Sequence, residues 1–222
     1  MSDLEALANT ARLSGWAVGT MSPTQVRWGV SSLGWEEGAT RKGDNPVATL
    51  RPTTPEDAHP NSLSAQHGLA EQPLHTDGAH LQEPPHYAVL HAVQPNGTPT
   101  LLWSYLSKLT NPDPPRVQQP TALVGGIFVV RSGTTRFLAP SFDYGSGYRY
   151  DPGCMTPADQ RAHEASRYFT SLAGQAYRHE WTEPNQVLVI DNRRTLHARA
   201  AVSARDTDRE ITRIAFRVKA TS

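Results

Sequence analysis

Apolar residues in this chain gather in short runs with the period of strands, and only twice take a helical spacing. Tyr87-Ala88-Val89-Leu90 and Val187-Leu188-Val189-Ile190 have the length and branching of buried strands. In Arg209-Glu210-Ile211-Thr212-Arg213-Ile214-Ala215-Phe216-Arg217-Val218 the alternation is strict. Arg209, Ile211, Arg213, Ala215 and Arg217 share one face, and Thr212, Ile214, Phe216 and Val218 the other. The clearest helix is predicted from Thr156 to about Ala173. Thr156 caps it, Pro157 fits the first turn, Asp159 completes a start resembling a capping box, and Gly174 ends it. Ala158, Ala162, Ala165, Phe169 and Leu172 then form one apolar stripe, expected to pack outside the sheet. A shorter helix is predicted over Asp3 to Arg12, with Leu4, Leu7, Ala8 and Ala11 on one side and Gly15 beyond its end. Between Gly38 and Pro60 the chain is rich in Pro, Thr, Asp and Asn, which predicts a long loop covering the mouth of a site. Eighteen prolines and the absence of a repeat or low-complexity linker suit one β-rich domain spanning residues 1–222.

Charge narrows the classes of partner. Lys plus Arg equals Asp plus Glu at 21 each, so no net field favours nucleic acid or an anionic membrane. The longest apolar run, near Leu123 to Val130, is too short to span a bilayer. The N-terminal residues lack the basic start and apolar stretch of a signal peptide. Cys154 is the single cysteine, which excludes an intrachain disulfide and fits a reducing compartment, so the expected location is the cytoplasm. A small-molecule substrate is the expected partner, and the sequence leaves open a monomer or a homo-oligomer.

The candidate chemistry begins with Leu74-His75-Thr76-Asp77-Gly78 and Asp191-Asn192-Arg193-Arg194-Thr195-Leu196-His197. On an extended strand His75 and Asp77 project from one face while Thr76 points away. His197 follows the buried run 187–190 and supplies a second imidazole. Two His and one carboxylate cover one side of an octahedral metal and leave positions open, the ligand set of a mononuclear non-haem iron site. By itself His-x-Asp is a weak signal, since Asp-Gly is also a common turn pair. The arginine face of 209–217 likewise reads, for an isolated strand, as a solvated outer surface. Inside a closed barrel it would instead face a cavity, where a guanidinium requires an anion such as a carboxylate. Arg199, two residues beyond His197, shares the face of that histidine and reads equally as cavity-facing or as lying in water at the mouth.

Taken in order, Ser62-Leu63-Ser64, the His75 segment, Pro84-Pro85-His86-Tyr87, Gly97-Thr98-Pro99-Thr100-Leu101-Leu102-Trp103, Gln186 to Asn192, Leu196-His197-Ala198-Arg199, Arg209 and Arg213 resemble the TauD/TfdA family. This is the taurine dioxygenase and clavaminate synthase-like family of Fe(II)- and 2-oxoglutarate-dependent oxygenases. The resemblance runs from about Ser62 to Arg217. It implies a mainly β fold with flanking helices around a double-stranded β-helix, a jelly roll of cupin type. It further implies that His75, Asp77 and His197 hold iron as the catalytic centre. By the same resemblance Thr100 donates to 2-oxoglutarate, Arg209 pairs with its distal carboxylate, and Arg213 contacts its other end or the substrate. Ser64 is similar to a residue that holds substrate. Thr98 stands where the family segment has its second Gly, so Thr98 competes with Thr100 for the co-substrate.

The activity so implied is hydroxylation, or a related oxidation, of an unactivated C–H bond of a small metabolite by O2, with succinate and CO2 as co-products. A jelly-roll metal protein with hydrolase or isomerase chemistry and a non-catalytic small-molecule binding module are the alternatives. The aromatics of Tyr144-Gly145-Ser146-Gly147-Tyr148 are candidates for a substrate pocket, and the other histidines are expected to make ordinary hydrogen bonds.

Overall fold

The computed structural model, which describes residues 3–40, 45–106 and 119–218, turns the apolar runs into two antiparallel sheets packed face to face. In chain order the elements are α1 (Asp3–Ser14), β1 (Trp16–Thr20), α2 (Pro23–Leu33), β2 (Trp35–Glu37), β3 (Val47–Leu50), α3 (Leu63–His67), β4 (Tyr87–Ala92), β5 (Asn96–Ser104), α4 (Thr121–Gly125), β6 (Ile127–Ser132) and β7 (Thr135–Pro140). They continue with β8 (Phe142–Asp143), β9 (Gly147–Tyr148), β10 (Met155–Pro157), α5 (Gln160–Ser171), β11 (Tyr177–Trp181), β12 (Gln186–Asp191), β13 (Thr195–Arg199) and β14 (Ile211–Val218). The larger sheet has the order β1-β12-β4-β14-β2, with β3 also on β14, and the smaller the order β11-β5-β13. Neighbours in both sheets are distant in sequence, the interleaving of a jelly roll with flanking helices.

Three apolar layers follow from the alternation. Ala88, Leu90, Leu188, Ile190 and Ile211 of the larger sheet meet Leu102 and Trp181 of the smaller one between the sheets. On the outer side of the larger sheet Val89, Val187, Val189, Ile214 and Phe216 pack with Leu4 and Ala11 of α1 and Val26 and Val30 of α2. The run 187–190 carries no polar residue because it is covered on both faces. Leu101, Trp103, Leu196 and Ala198 point outward from the smaller sheet into a third cluster with Phe128, Val130 and the α5 residues Ala162, Ala165 and Phe169. The predicted stripe of α5 therefore does pack outside the sheet.

The helix boundaries needed correction in two places. Residues Met155–Pro157 extend as β10 against β6, and α5 begins only at Gln160. Asp159 is its N-cap, accepting from Ala162 N at 2.7 Å with one oxygen and from Ile127 N at 3.1 Å with the other. Ladder pairing of Thr156 with Val129 thus outcompetes the cap that Thr156 would have offered. Helix α2 was not predicted, although Ser22-Pro23-Thr24-Gln25 is a complete capping box with Pro in the first turn. Helix α1 matches its expectation and runs two residues further, to Ser14. Gly15 follows at φ +99°, where a Cβ would come within 2.6 Å of the Ser104 hydroxyl. Of the expected loop 38–60, Val47–Leu50 is a strand on β14, and residues 41–44 lie outside the described residues.

Candidate metal centre

His75 and His197 meet across a single antiparallel bridge: His75 N donates to His197 O at 2.9 Å and His197 N to His75 O at 3.0 Å. The extended strand expected for His75 and Asp77 lasts no further than this bridge. At Thr76 the chain turns, with Ala79 N donating to Thr76 O at 3.3 Å and Gly78 at φ +67°. A Cβ at Gly78 would also stand 2.8 Å from Pro85 Cδ, so the turn requires glycine there. Thr76 points away as expected: its N–H donates to Tyr150 O at 2.7 Å and its hydroxyl accepts from Tyr150 N at 3.3 Å.

Asp77 owes its position to Asn192, a residue the sequence suggested only as part of a turn. The Asn192 amide accepts from Asp77 N at 2.9 Å and donates to Asp77 O at 3.0 Å and Pro85 O at 2.9 Å. Asn192 is wholly buried, so this bracket is shielded from water. Beyond the turn, Arg149 donates to the carbonyls of Ala79, Leu81 and Gln82.

The three side chains converge. His75 Nε2 lies 3.9 Å from Asp77 Oδ1, His197 Nε2 lies 3.7 Å from Asp77 Oδ2, and the imidazole centroids are 4.7 Å apart. Their ligand atoms all fall within 4.8 Å of one another, and no other such group occurs among the described residues. The donors fit a metal ion on three counts. Asp77 Oδ2 is buried with no hydrogen-bond partner. His75 Nδ1 faces Pro73 O at 3.0 Å, which places the proton there and leaves Nε2 as a lone pair. Protonation states are also suitable. Burial raises the Asp77 pKa, but Arg213, His197 and His75 outweigh it and bring the carboxyl to about 2. Burial lowers His197 to about 3 against the opposing pull of Asp77. At neutral pH Asp77 is therefore a carboxylate and His197 a neutral imidazole, the forms that bind a cation.

Around these ligands lies a cavity of about 350 Å³, with Thr100, Arg199, Arg209 and Arg213 on its wall. The face of β14 that carries Arg213, continued back to Arg209 two residues before the strand, therefore faces inward. Arg209 is buried, donates from Nε to Asn96 Oδ1 at 3.1 Å, and has no carboxylate within ion-pair distance among the described residues. Burial and the nearby Arg199 lower its pKa to about 10, with Asp206 opposing. Arg213 also lines the cavity, and its guanidinium holds Asp77 Oδ1 and Thr40 Oγ1, each at 2.9 Å. Arg199 also lines the cavity, anchored by Nη2 to Gly68 O at 2.6 Å and Ala70 O at 2.8 Å.

Thr98 and Thr100 separate cleanly. Thr98 is outside the cavity, with its hydroxyl donating to Asp206 Oδ2 at 2.6 Å, while Asp206 Oδ1 accepts from Gly97 N at 3.0 Å. These bonds tie down the short loop before β14 and so fix that strand's register. Thr100 lines the cavity and accepts from Trp181 Nε1 at 3.1 Å. Ser64 lines it too, but sits in the helical turn α3 rather than on a strand, and accepts from Gln72 Nε2 at 3.2 Å. The Tyr144–Tyr148 stretch is not on the wall: Tyr148 is in the core against Trp103 and Phe142, and Tyr144 is exposed. His59 and His80 are on the wall without joining the metal group. Asn192, Trp181, Gln72 and Asp151 are the site residues that sequence reasoning missed. Each stands in a local context that carries no motif.

Residues 125–215 match the family model described as "Taurine catabolism dioxygenase TauD, TfdA family". This stretch is similar to the TauD/TfdA family. It carries His197, Arg209 and Arg213, while His75, Asp77 and Thr100 lie upstream and are brought to it by the fold. Among curated proteins none matches the chain. An asparagine oxygenase solved with Fe(II), 2S,3S-3-hydroxyasparagine and succinate aligns with a TM-score of 0.73 at 18% identity, covering 97% of this chain and 78% of that one. The non-heme iron oxygenase OrfP with Fe and alpha-ketoglutaric acid gives 0.68 at 18% identity, with 98% and 79% covered. PvcB from Pseudomonas aeruginosa gives 0.63 at 17% identity, with 95% and 78% covered. These likenesses establish the fold of the chain. No helix among the described residues is long and apolar enough to cross a membrane.

Proposed function

We propose that this protein is an Fe(II)- and 2-oxoglutarate-dependent oxygenase that hydroxylates an unactivated C–H bond of a small polar metabolite and releases succinate and CO2. The observation that carries the reading is one cavity holding both a buried, unpaired Arg209 and the convergent His75, Asp77 and His197. Burying a guanidinium without an anion costs several kcal/mol, roughly 3 to 5, so a dicarboxylate co-substrate explains Arg209. Two parallel hydrogen bonds to a carboxylate use both of its remaining NH2 groups. Thr100 supports the same end, because accepting from Trp181 leaves the hydroxyl proton free to be donated.

His75, Asp77 and His197 would hold the iron, and iron so bound supplies the activation of O2 for oxidation of a C–H bond. Asn192 fixes the backbone of Asp77, and Arg213 keeps its carboxylate ionised and oriented. Ser64, Arg199 and Arg213 are the proposed contacts to substrate. Among the described residues the wall holds no Phe, Tyr or Trp, which favours a polar aliphatic molecule over a flat aromatic one. The solved relatives bind molecules of that kind, hydroxyasparagine in one and (3S)-hydroxy-L-Arg in another. Cys154 is partly buried and its thiol is pushed up by burial, so it stays protonated in a single oxygenase domain working in the reducing cytoplasm.

Purified protein supplied with Fe(II), 2-oxoglutarate and air is expected to retain one metal ion and to form succinate. His75→Ala and Asp77→Ala are expected to lose both. A protein that binds metal but neither binds nor consumes 2-oxoglutarate would overturn the reading.

A further inference from the structure

With Arg209 assigned to the co-substrate, Asp151 remains a carboxylate on the cavity wall with no cation beside it among the described residues, and we infer that the substrate carries a side-chain cation, an ammonium or a guanidinium, received by Asp151. This inference rests on the oxygenase reading for what fills the rest of the cavity. The other arginines of the wall have partners within the protein. Arg51 pairs with Glu210 Oε2 at 3.1 and 2.8 Å, Arg199 with the carbonyls of Gly68 and Ala70, and Arg213 with Asp77 and Thr40. Asp57 accepts from the Thr54 hydroxyl at 3.0 Å and is exposed to water. Asp151 accepts from Gly153 N at 2.7 Å through Oδ1 only, and no cation lies within ion-pair distance of it among the described residues.

Asp151 is also held close to where the chemistry takes place. Its neighbour Tyr150 is bonded in both directions to Thr76, the residue between the two ligands His75 and Asp77. Its own carbonyl accepts from Cys154 N at 3.1 Å and Met155 N at 2.8 Å, so the backbone carrying the carboxylate is rigid. A small molecule sealing this cavity removes water from Asp151, and a carboxylate losing its water needs a cation or strong donors in exchange. Asn61, Ser62, Ser64 and Gln72 on the same wall are uncharged and offer neutral hydrogen-bonding groups only. A purely local role for Asp151 is served by the bond from Gly153 alone, and asparagine would keep that bond.

The protein with Fe(II) and 2-oxoglutarate bound is titrated anaerobically with L-arginine, L-lysine, L-ornithine and agmatine, and with L-citrulline and L-norleucine as neutral counterparts whose side chains carry no charge. Binding is followed by the shift in thermal unfolding. At least one cationic probe is expected to bind about tenfold or more tightly than its neutral counterpart, the scale of one charged hydrogen bond. Asp151→Asn, whose own melting curve shows whether it folds, is expected to lose that preference, and Asp151→Glu to keep part of it. Stabilisation by Fe(II) and 2-oxoglutarate, measured on the unsubstituted protein before any probe is added, tests the oxygenase reading separately. Neutral counterparts binding as well as the cations, binding by no probe, or a preference that survives Asp151→Asn would each overturn the assignment.

Discussion

The two sides of the cavity are built on opposite principles. On the metal side the backbone of Asp77 is bracketed by the buried amide of Asn192, His75 is locked to His197 by two main-chain bonds, and the turn beyond is clamped by Arg149. On the entrance side Thr40, Thr53, Asp57 and His59 belong to a segment rich in exposed residues, joined to the body by β3 and by the water-exposed Arg51–Glu210 pair. Ligands must not move when an ion is bound, whereas the rim must give way for a molecule to pass. Polar contacts are accordingly buried on the first side, whereas the side-chain pair that ties down the second is exposed to water.

Substitutions on the two sides should therefore differ in kind as well as in size. The largest effect is expected from Asp77→Ala, which removes the carboxylate and should abolish stoichiometric iron binding by metal analysis. Arg209→Met comes next. It leaves iron binding in place but should weaken 2-oxoglutarate by about 100-fold, as loss of two charge-assisted bonds implies, measured by the KM of the co-substrate. Asn192→Ala should lower metal affinity by about 10- to 100-fold, because it disturbs a group behind the ligand rather than the ligand. Calorimetry should also show about 1–3 kcal/mol of lost stability, since buried backbone groups of Asp77 and Pro85 lose their partners.

A smaller, pH-dependent effect is expected behind Thr100. His179 is buried against Trp181, with ring centroids 4.5 Å apart, and burial lowers its pKa to about 4. In the unfolded chain it titrates near 6.5. Between these values the unfolded state binds a proton that the folded state refuses. Stability is therefore whole above about pH 6.5 and falls as the pH drops toward 4, by at most about 3 kcal/mol. His179→Gln should flatten denaturant midpoints across that window. The smallest effect belongs to the entrance: Arg51→Ala should change stability by less than about 1 kcal/mol, because its side chain is 67% exposed and that of Glu210 52%. A destabilisation by Arg51→Ala as large as that by Asn192→Ala would erase the contrast between the two sides.

Much of the fold could be read locally. Alternation along 209–218 assigned both faces of β14, and the all-apolar run 187–190 marked a strand covered on both sides. Helix α1 followed from its spacing, and α2 could have been found from its capping box. The start of α5 was misread because Thr156 and Pro157 suit a helix N-terminus equally well, and only pairing with β6 decides against it. Of the site, the ligand types and their order were legible, while the turn at Asp77-Gly78 was hidden behind an expected strand.

Side-chain chemistry and the period of two are properties of neighbours along the chain, and they suffice to name His75, Asp77 and His197 as donors and to put Arg209 and Arg213 on one face. Which of those arginines is free is not a local property. Arg213 is claimed by an aspartate 136 residues away, and that aspartate is itself positioned by an asparagine 115 residues away. Arg209 meets no such carboxylate among the described residues, and its bond to Asn96 through Nε leaves its two NH2 groups for the proposed co-substrate contact. Partners so far apart are brought together by burial and strand register acting on the whole chain, and tertiary structure alone decides which polar groups are satisfied within the protein and which are left facing the cavity.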